Sequence, residues 1–172
     1  NSNIYNVDAT KDLGTHFDII ILKDVIEHIH NKEKLINWMK NFLKPGGIIF
    51  FGFPPWQMPY GGHQQMMKGW LGKTPYWHLL PMPLFKSLMR VNKQYSEDLV
   101  EIKETGISIE RFKRILKKTG YRILLQKHWL INPVYEYKFG WKPRVQFQLI
   151  KSIPFVRNFF TTAVYYIITP EQ

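Results

Sequence analysis

Cysteine is absent from the 172 residues, so disulfide bridges, cysteine zinc sites and thiol nucleophiles are excluded. A reducing compartment is compatible with this absence but not required by it. No apolar run approaches the about 18–20 residues of a membrane-spanning helix, which predicts a soluble, cytoplasmic protein. The chain is nevertheless 45% hydrophobic and 16% aromatic, enough apolar surface to form a folded core.

Acidic residues are scarce: 13 Asp and Glu stand against 24 Lys and Arg, for a formal net charge of +11. The excess is concentrated in residues 85–157, which hold sixteen basic and six acidic residues. Such a segment attracts phosphate, nucleic acid or an anionic membrane. The alternative is a solvated helix face whose acidic counterpart lies elsewhere. No motif of an RNA- or DNA-binding module is present, so nucleic acid is the least favoured partner.

Two nearly unbroken apolar runs, residues 17–22 and 48–53, indicate strands that are covered on both faces in a parallel sheet. The apolar residues between them recur at helical spacing, with Asn31 as a capping residue and Pro45-Gly46-Gly47 as a stop signal. Strand, helix and strand in this order predict a right-handed βαβ unit. A shorter run, Ile4 to Val7, is a further candidate strand.

The second half continues the same pattern. Ser108 is predicted to cap a helix, residues 121–125 to form the strand that follows it, and residues 164–169 to form the last strand. The fold class is therefore predicted to be α/β, in a single domain over residues 1–172, with residues 101–172 as its C-terminal helix and strands.

Residues 54–100 interrupt this pattern. Many prolines and glycines prevent a long regular element, while the aromatic and methionine side chains are too apolar for a solvated loop. An insertion after the carboxyl end of a parallel strand lies where open α/β sheets bind ligands. We therefore interpret residues 54–100 as a substrate lid, with its apolar side chains serving either packing or a hydrophobic channel.

A strand that opens with Phe17-Asp18 is followed by a Val25-Ile26-Glu27-His28 turn, an amphipathic helix, and Leu43-Lys44-Pro45-Gly46-Gly47 before the next strand. In these features residues 17–55 resemble class I S-adenosylmethionine-dependent methyltransferases of the ubiquinone/menaquinone-methyltransferase-like group. The resemblance implies a Rossmann-like fold with a mostly parallel sheet and an antiparallel C-terminal strand. Residues 1–53 would then form the cofactor-side βαβ portion.

The sequence departs from that family at one important point. The glycine-rich Gly-x-Gly-x-Gly loop that begins the family's cofactor site has no counterpart, because no Gly-x-Gly occurs here. We therefore expect the chain to be the C-terminal part of a methyltransferase domain, with its N-terminal portion missing. Taken alone, such a fragment is expected to be inactive.

The resemblance also implies site residues. Asp8 and Ala9 match the position that meets the adenine of S-adenosylmethionine, although Asp8 alternatively caps a turn. Lys23 and Asp24 match a cofactor contact made mainly through the backbone. Glu27 and His28 match the family's Glu-His pair. Either His28 lines the methyl-transfer cavity, or the pair holds the following helix in place.

The lid adds further candidates. His63 follows two glycines and lies among polar residues of an otherwise apolar segment, as in binding pockets. A histidine is suited to act as a general base because its ordinary pKa is near neutral. His28 and His63 are the predicted catalytic residues, with a structural role as the alternative for each. The predicted substrate contacts are Trp56, Tyr60, His63 and Gln64, and the histidine spacing predicts no metal site.

The predicted function is methyl transfer from S-adenosylmethionine to a small-molecule acceptor, with a hydrophobic or lipid-like acceptor as one option. The alternative is a non-catalytic binding module that retains the fold and docks on an anionic membrane or a nucleic acid. The segment from Trp141 to Phe160 mixes basic and aromatic residues, which is compatible with peripheral membrane contact. The acceptor and the oligomeric state stay open.

Overall fold

The computed structural model describes residues 16–171, which form a five-stranded sheet in the order β1-β2-β5-β3-β4. The strand bounds are β1 Phe17–Lys23, β2 Leu43–Phe53, β3 Tyr121–Ile131, β4 Arg144–Val145 and β5 Ala163–Pro170. This arrangement confirms the predicted α/β class. The candidate strand Ile4 to Val7 lies outside the described residues.

Eight α-helices connect and cover these strands in the described part of the chain. Their bounds are α1 Lys32–Trp38, α2 Gly69–Lys73, α3 Met82–Val91, α4 Glu97–Thr105, α5 Ile109–Lys118, α6 Val134–Phe139, α7 Gln148–Ser152 and α8 Val156–Phe159. Both predicted caps are confirmed, because the side chains of Asn31 and Ser108 accept hydrogen bonds from the amides of Lys34 and Arg111.

Strand direction determines where the carboxyl ends meet. β1 and β2 are parallel, whereas β5 is antiparallel to both β2 and β3. β1, β2 and β3 therefore point the same way, and their carboxyl ends share one edge of the sheet, called here the carboxyl edge. The antiparallel C-terminal strand is confirmed. Within residues 16–171, only the β1–β2 pair is parallel, so antiparallel pairing has a larger share than the resemblance implied.

Two strands are longer than their apolar runs indicate. β2 begins as early as Leu43, which pairs with Phe17 of β1. The register between the two strands shifts between Phe17 and Ile19, and this shift accommodates the left-handed backbone of Gly46 within β2. β3 continues beyond residue 125 through Gln126, Lys127 and His128 because β5 pairs with it as far as Trp129. Tertiary pairing therefore extends strands past the residues that signal them.

One face of the sheet carries the main hydrophobic core. Ile49, Phe51 and Phe53 of β2 are fully buried there together with residues of α1, α5 and β5. The Phe112 ring on α5 lies 5.0 Å from the ring of Phe51 and 4.9 Å from those of Phe53 and Tyr166. Helix α5 is therefore fixed to the centre of the sheet by aromatic packing.

The opposite face of β1 is open in the described residues. Leu22 is buried in the core, whereas Ile19 and Ile21, which point the other way, are more than half exposed. Apolar residues on both faces are typical of a strand that is covered on both sides.

The lid, residues 54–100, forms a second hydrophobic cluster that extends into α4. Leu71, Trp77, Phe85, Met89 and Leu99 are its buried centre. Prolines and glycines keep the lid in short elements, of which the ten-residue α3 is the longest. The amide of Trp56 donates to the carbonyl of Ile107 at 2.8 Å, which ties the start of the lid to the beginning of α5.

No helix within residues 16–171 combines the length and the apolar character needed to cross a bilayer.

We expect Gly62→Ala to destabilise the lid. A Cβ at position 62 would lie 2.3 Å from the Cβ of His78, and that residue is held by hydrogen bonds on both ring nitrogens. Overpacking of this kind costs about 1–3 kcal/mol. Urea unfolding should show the loss, whereas the control Ser87→Ala on the exposed face of α3 should not. Equal stability of the two variants would contradict the packing described here.

Candidate functional site

The carboxyl edge begins with a tight turn after β1. Asp24 adopts a left-handed backbone with φ of 54°, and its amide donates to the carbonyl of Gly52 at 2.7 Å. The Lys23 ammonium donates to the Asp24 carboxylate at 2.8 Å, and both side chains are about half exposed. The turn therefore exposes backbone and charged groups at the carboxyl ends of the parallel strands β1 and β2.

Glu27 follows in a short 3-10 turn, Ile26–His28, and is buried. Burial raises the pKa of its carboxyl group to about 7. One carboxylate oxygen, Oε2, has no hydrogen-bond partner among the described residues, and the other lies 4.0 Å from the Nε2 atom of His28. A buried carboxyl group thus lies beside His28, the next candidate residue.

The structure brings His28 and His63 together. Their ring centroids lie 5.4 Å apart in an edge-to-face arrangement. Burial is the main cause that lowers the pKa of both. The positive charge of Lys32 adds to the effect at His28, and repulsion from a protonated His28 adds to it at His63. Both imidazoles are therefore neutral at pH 7.

The backbone of His63 is unusual for a histidine. It has φ of 54° at the start of the turn Gln64–Met66. A non-glycine residue in the left-handed region costs free energy, and such residues are frequent at functional sites. Within residues 16–171 neither its ring nor that of His28 takes part in a hydrogen bond. Both rings thus retain nitrogen atoms for a ligand.

His78 shows the contrasting structural case. Its Nδ1 atom accepts from the Gln64 amide at 2.9 Å, and its Nε2 atom donates to the carbonyl of Trp56 at 2.8 Å. Burial lowers its pKa to about 4. The same network fixes two predicted substrate contacts inside the lid, since Gln64 is fully buried and the Trp56 ring packs against Gly106. Gln64 therefore has no surface left for a substrate in this conformation.

The other predicted residues are placed as follows. The Tyr60 hydroxyl group donates to the carbonyl of Lys73 at 2.8 Å, so it braces the lid. Asp8 and Ala9 lie outside the described residues. Residues 16–171 contain no group of three His, Asp or Glu side chains arranged to hold a metal ion.

Three residues that the sequence did not single out complete the carboxyl edge. The Tyr165 ring of β5 covers Gly52, where an added Cβ would lie 3.2 Å from its Cε1 atom. Its hydroxyl group donates to Asn132 at the end of β3, at 3.2 Å. Burial raises the pKa of Tyr135 on α6, and the negative charge of Asp24 adds to the effect. For these three residues the sequence offers one signal, which is that Asn132 directly follows β3. That signal was hidden because the strand was predicted to end at residue 125.

A cavity of about 560 Å³ lies at the opposite edge of the sheet. Lys40, Lys44 and Arg122 line it together with Gly46 and Glu171, at the amino ends of the strands that point toward the carboxyl edge. The Lys44 ammonium is paired there with Asp18 at 2.8 Å. Because α/β sheets bind ligands beyond the carboxyl ends of parallel strands, the histidine cluster is the better candidate site.

The sequence profile of the family described as "Methyltransferase domain" matches residues 2–126. The chain belongs to this methyltransferase domain family. Family membership confirms the class I methyltransferase resemblance, and with the α/β sheet it confirms the predicted fold. The narrower ubiquinone/menaquinone-like grouping is not part of this finding.

Individual relatives match over shorter segments. An uncharacterized methyltransferase of Mycobacterium leprae is 34% identical over 55 residues, which are 32% of this chain and 20% of that protein. An uncharacterized methyltransferase of Mycobacterium tuberculosis is 33% identical over 55 residues, 22% of its length. The matched segment is thus about a fifth of the length of each of these relatives.

Among solved structures, the chain resembles an S-adenosylmethionine-dependent methyltransferase of Thermotoga maritima that is described as a possible histamine N-methyltransferase. The TM-score is 0.49 at 13% sequence identity, covering 95% of this chain and 61% of that one.

The raised pKa of Glu27 predicts how the stability of this methyltransferase domain depends on pH. Below pH 4.5 the carboxyl group is protonated in both folded and unfolded states, so burial costs nothing extra. Between pH 4.5 and about 7 the unfolded state loses the proton first, and stability falls as pH rises. Glu27→Gln removes this cost, so its advantage over the wild type should grow to about 3 kcal/mol above pH 7.

Urea unfolding at about pH 4.5 and about pH 8 measures this difference. Glu33→Gln, a partly exposed glutamate on α1, is the control and should show no comparable gain. A Glu27→Gln variant whose advantage is the same at both pH values would contradict a buried, protonated carboxyl group.

Proposed function

We propose that the protein containing this chain transfers a methyl group from S-adenosylmethionine to a small-molecule acceptor. Membership of the methyltransferase domain family supports the reaction class. The carrying observation is the pair of neutral imidazoles, His28 and His63, beside the Asp24 turn at the carboxyl edge. Methyl transfer depends on alignment and exclusion of water more than on a fixed set of catalytic groups.

The turn after β1 suits one side of the cofactor. Its left-handed backbone at Asp24 and the exposed Lys23 and Asp24 side chains give this edge donors and acceptors for a charged ligand. Lys23 and Asp24 would hold S-adenosylmethionine mainly by their backbone, with Asp8 and Ala9 at its adenine. When bound, the cofactor supplies a methyl group that is already activated by its sulfonium charge.

We assign the general-base role to His63. It belongs to the lid, on the acceptor side, whereas His28 follows the cofactor-side strand. A neutral imidazole at His63 would take up the proton of a hydroxyl or amine acceptor when the acceptor is methylated, and the cofactor would leave as a neutral thioether. The edge-to-face contact with His28 orients the His63 ring. The proton then resides on His63 until solvent removes it.

The surroundings favour a hydrophobic acceptor. The rings of Tyr135, Phe139 and Trp141 contact one another at centroid distances of 5.3–6.2 Å. Tyr135 lies near enough to Asp24 for that charge to influence its pKa. An aromatic cluster beside the transfer site suits a quinol or phenol ring, in keeping with the ubiquinone/menaquinone-like resemblance.

The first test is equilibrium binding of S-adenosylmethionine to the purified full-length protein by calorimetry, followed by transfer of a radiolabelled methyl group to phenol, quinol and amine acceptors. Binding and transfer together support the proposal. Failure to bind the cofactor at millimolar concentration would overturn it. Binding without transfer to any acceptor would favour the alternative of a non-catalytic module.

The histidine assignment gives a sharper prediction. We expect His63→Gln to lower kcat about 100-fold or more, as loss of a general base does. His28→Gln should have a smaller effect, about tenfold, because His28 orients its neighbour. Wild-type kcat/KM should rise with pH and level off below pH 6.5, since the pKa of His63 is lowered from that value.

His63→Gln should lose this rising limb while retaining cofactor affinity. His30→Gln, whose exposed ring pairs with Glu101 at 3.3 Å, is the matched control and should leave kcat and the pH profile unchanged. An unchanged pH profile in His63→Gln would remove His63 from the reaction.

A further inference from the structure

The segment between β3 and β5, residues 132–161, is called here the outer segment. Ten of the twenty large hydrophobic side chains that are exposed in residues 16–171 belong to it. Tyr137, Leu149 and Phe155 are 93%, 74% and 65% exposed. Exposed apolar surface concentrated in one segment marks an interaction site rather than ordinary surface variation.

Several uncharged polar residues of the outer segment are buried, among them Gln146, Asn158 and Thr161. The Asn158 side chain accepts from the amide of Ile109 at 2.9 Å and donates to the Glu110 carboxylate at 2.6 Å. The segment is thus fixed to α5 by hydrogen bonds while it presents its apolar side chains to the surroundings.

An ion pair strengthens the same attachment. Arg157 lies 2.9 Å from Glu110, and both side chains are largely buried. Charge-assisted hydrogen bonds of this kind are stronger than neutral ones. The backbone amide of Phe155 also donates to Glu110, at 3.0 Å. These contacts hold residues 155–158 of the outer segment, including the exposed Phe155, against α5.

The charges beside these apolar groups are almost all positive. Lys138, Lys142 and Arg144 are exposed, and Glu136 is the single acidic residue of the outer segment. Protein interfaces are depleted in lysine at their centre. Aromatic and aliphatic side chains flanked by lysine and arginine match the boundary of an anionic bilayer, where rings enter the interface and cations meet lipid phosphates.

We propose that the outer segment docks the protein peripherally on an anionic membrane surface. Its two ends, Asn132 and Thr161, lie at the carboxyl edge, because Asn132 follows β3 and Thr161 precedes β5. Docking therefore places the carboxyl edge close to the lipid. That an acceptor reaches the site from the bilayer rests on the proposed function, whereas the docking itself does not.

The test is sedimentation of the purified full-length protein with vesicles of equal parts phosphatidylcholine and phosphatidylglycerol. We expect the protein to pellet with these vesicles, to stay in solution with pure phosphatidylcholine, and to be released by about 0.5 M salt. The double variant Lys142→Gln/Arg144→Gln should lower the partition coefficient about 25-fold, since each cation contributes about fivefold. Leu149→Ser should lower it about tenfold.

Matched controls lie outside the outer segment. Leu84→Ser and Val91→Ser change side chains that are 56% and 77% exposed on α3, and Arg114→Gln/Lys117→Gln removes two exposed cations from α5. All should partition like the wild type. All the substituted side chains are exposed, and circular dichroism verifies that each variant folds.

The outcomes separate the two proposals. No retention on anionic vesicles, or retention that the outer-segment variants leave unchanged, would overturn membrane docking. Pelleting without lipid would instead assign the surface to self-association and also overturn it. Cofactor binding measured without vesicles reports on the proposed function independently, so one proposal can fail while the other stands.

Discussion

The hydrogen bond from the Asp24 amide to the Gly52 carbonyl is the contact on which the candidate site depends. It closes the parallel ladder between β1 and β2 and turns the chain out of the sheet in a left-handed step. The turn then places Glu27 beneath the sheet edge and His28 at its mouth. Gly52 serves twice, because its missing side chain also leaves room for the Tyr165 ring.

The titratable side chains at the carboxyl edge are partly or fully buried and incompletely hydrogen-bonded, and this determines their protonation. Glu27 and the two facing histidines are all shifted toward their neutral forms by desolvation. Lys32 lies nearby, with its ammonium donating to the carbonyls of Ile29 and Thr105, and burial lowers its pKa to about 8. His78 in the lid differs, because both of its ring nitrogens are hydrogen-bonded.

Local sequence signals predicted much of the fold. The strand at Phe17, the caps at Asn31 and Ser108 and the last strand follow from apolar runs and capping chemistry, which act over a few residues. The bulge at Gly46 and the long β3 were not predictable in this way, because pairing with a distant strand determines them. The motif Glu27-His28 indicated one half of the site. His63 was also a candidate, but its contact with His28 depends on tertiary structure, as does the hydrogen bond between Tyr165 and Asn132.

The direct test of the account is hydrogen–deuterium exchange of the full-length protein with and without S-adenosylmethionine. If the carboxyl edge holds the cofactor, amides of residues 23–28 should become protected, with those of residues 61–63 following as the lid settles. Protection confined to the opposite edge around Lys40, Lys44 and Arg122, or no change in residues 23–28 at saturating cofactor, would contradict it.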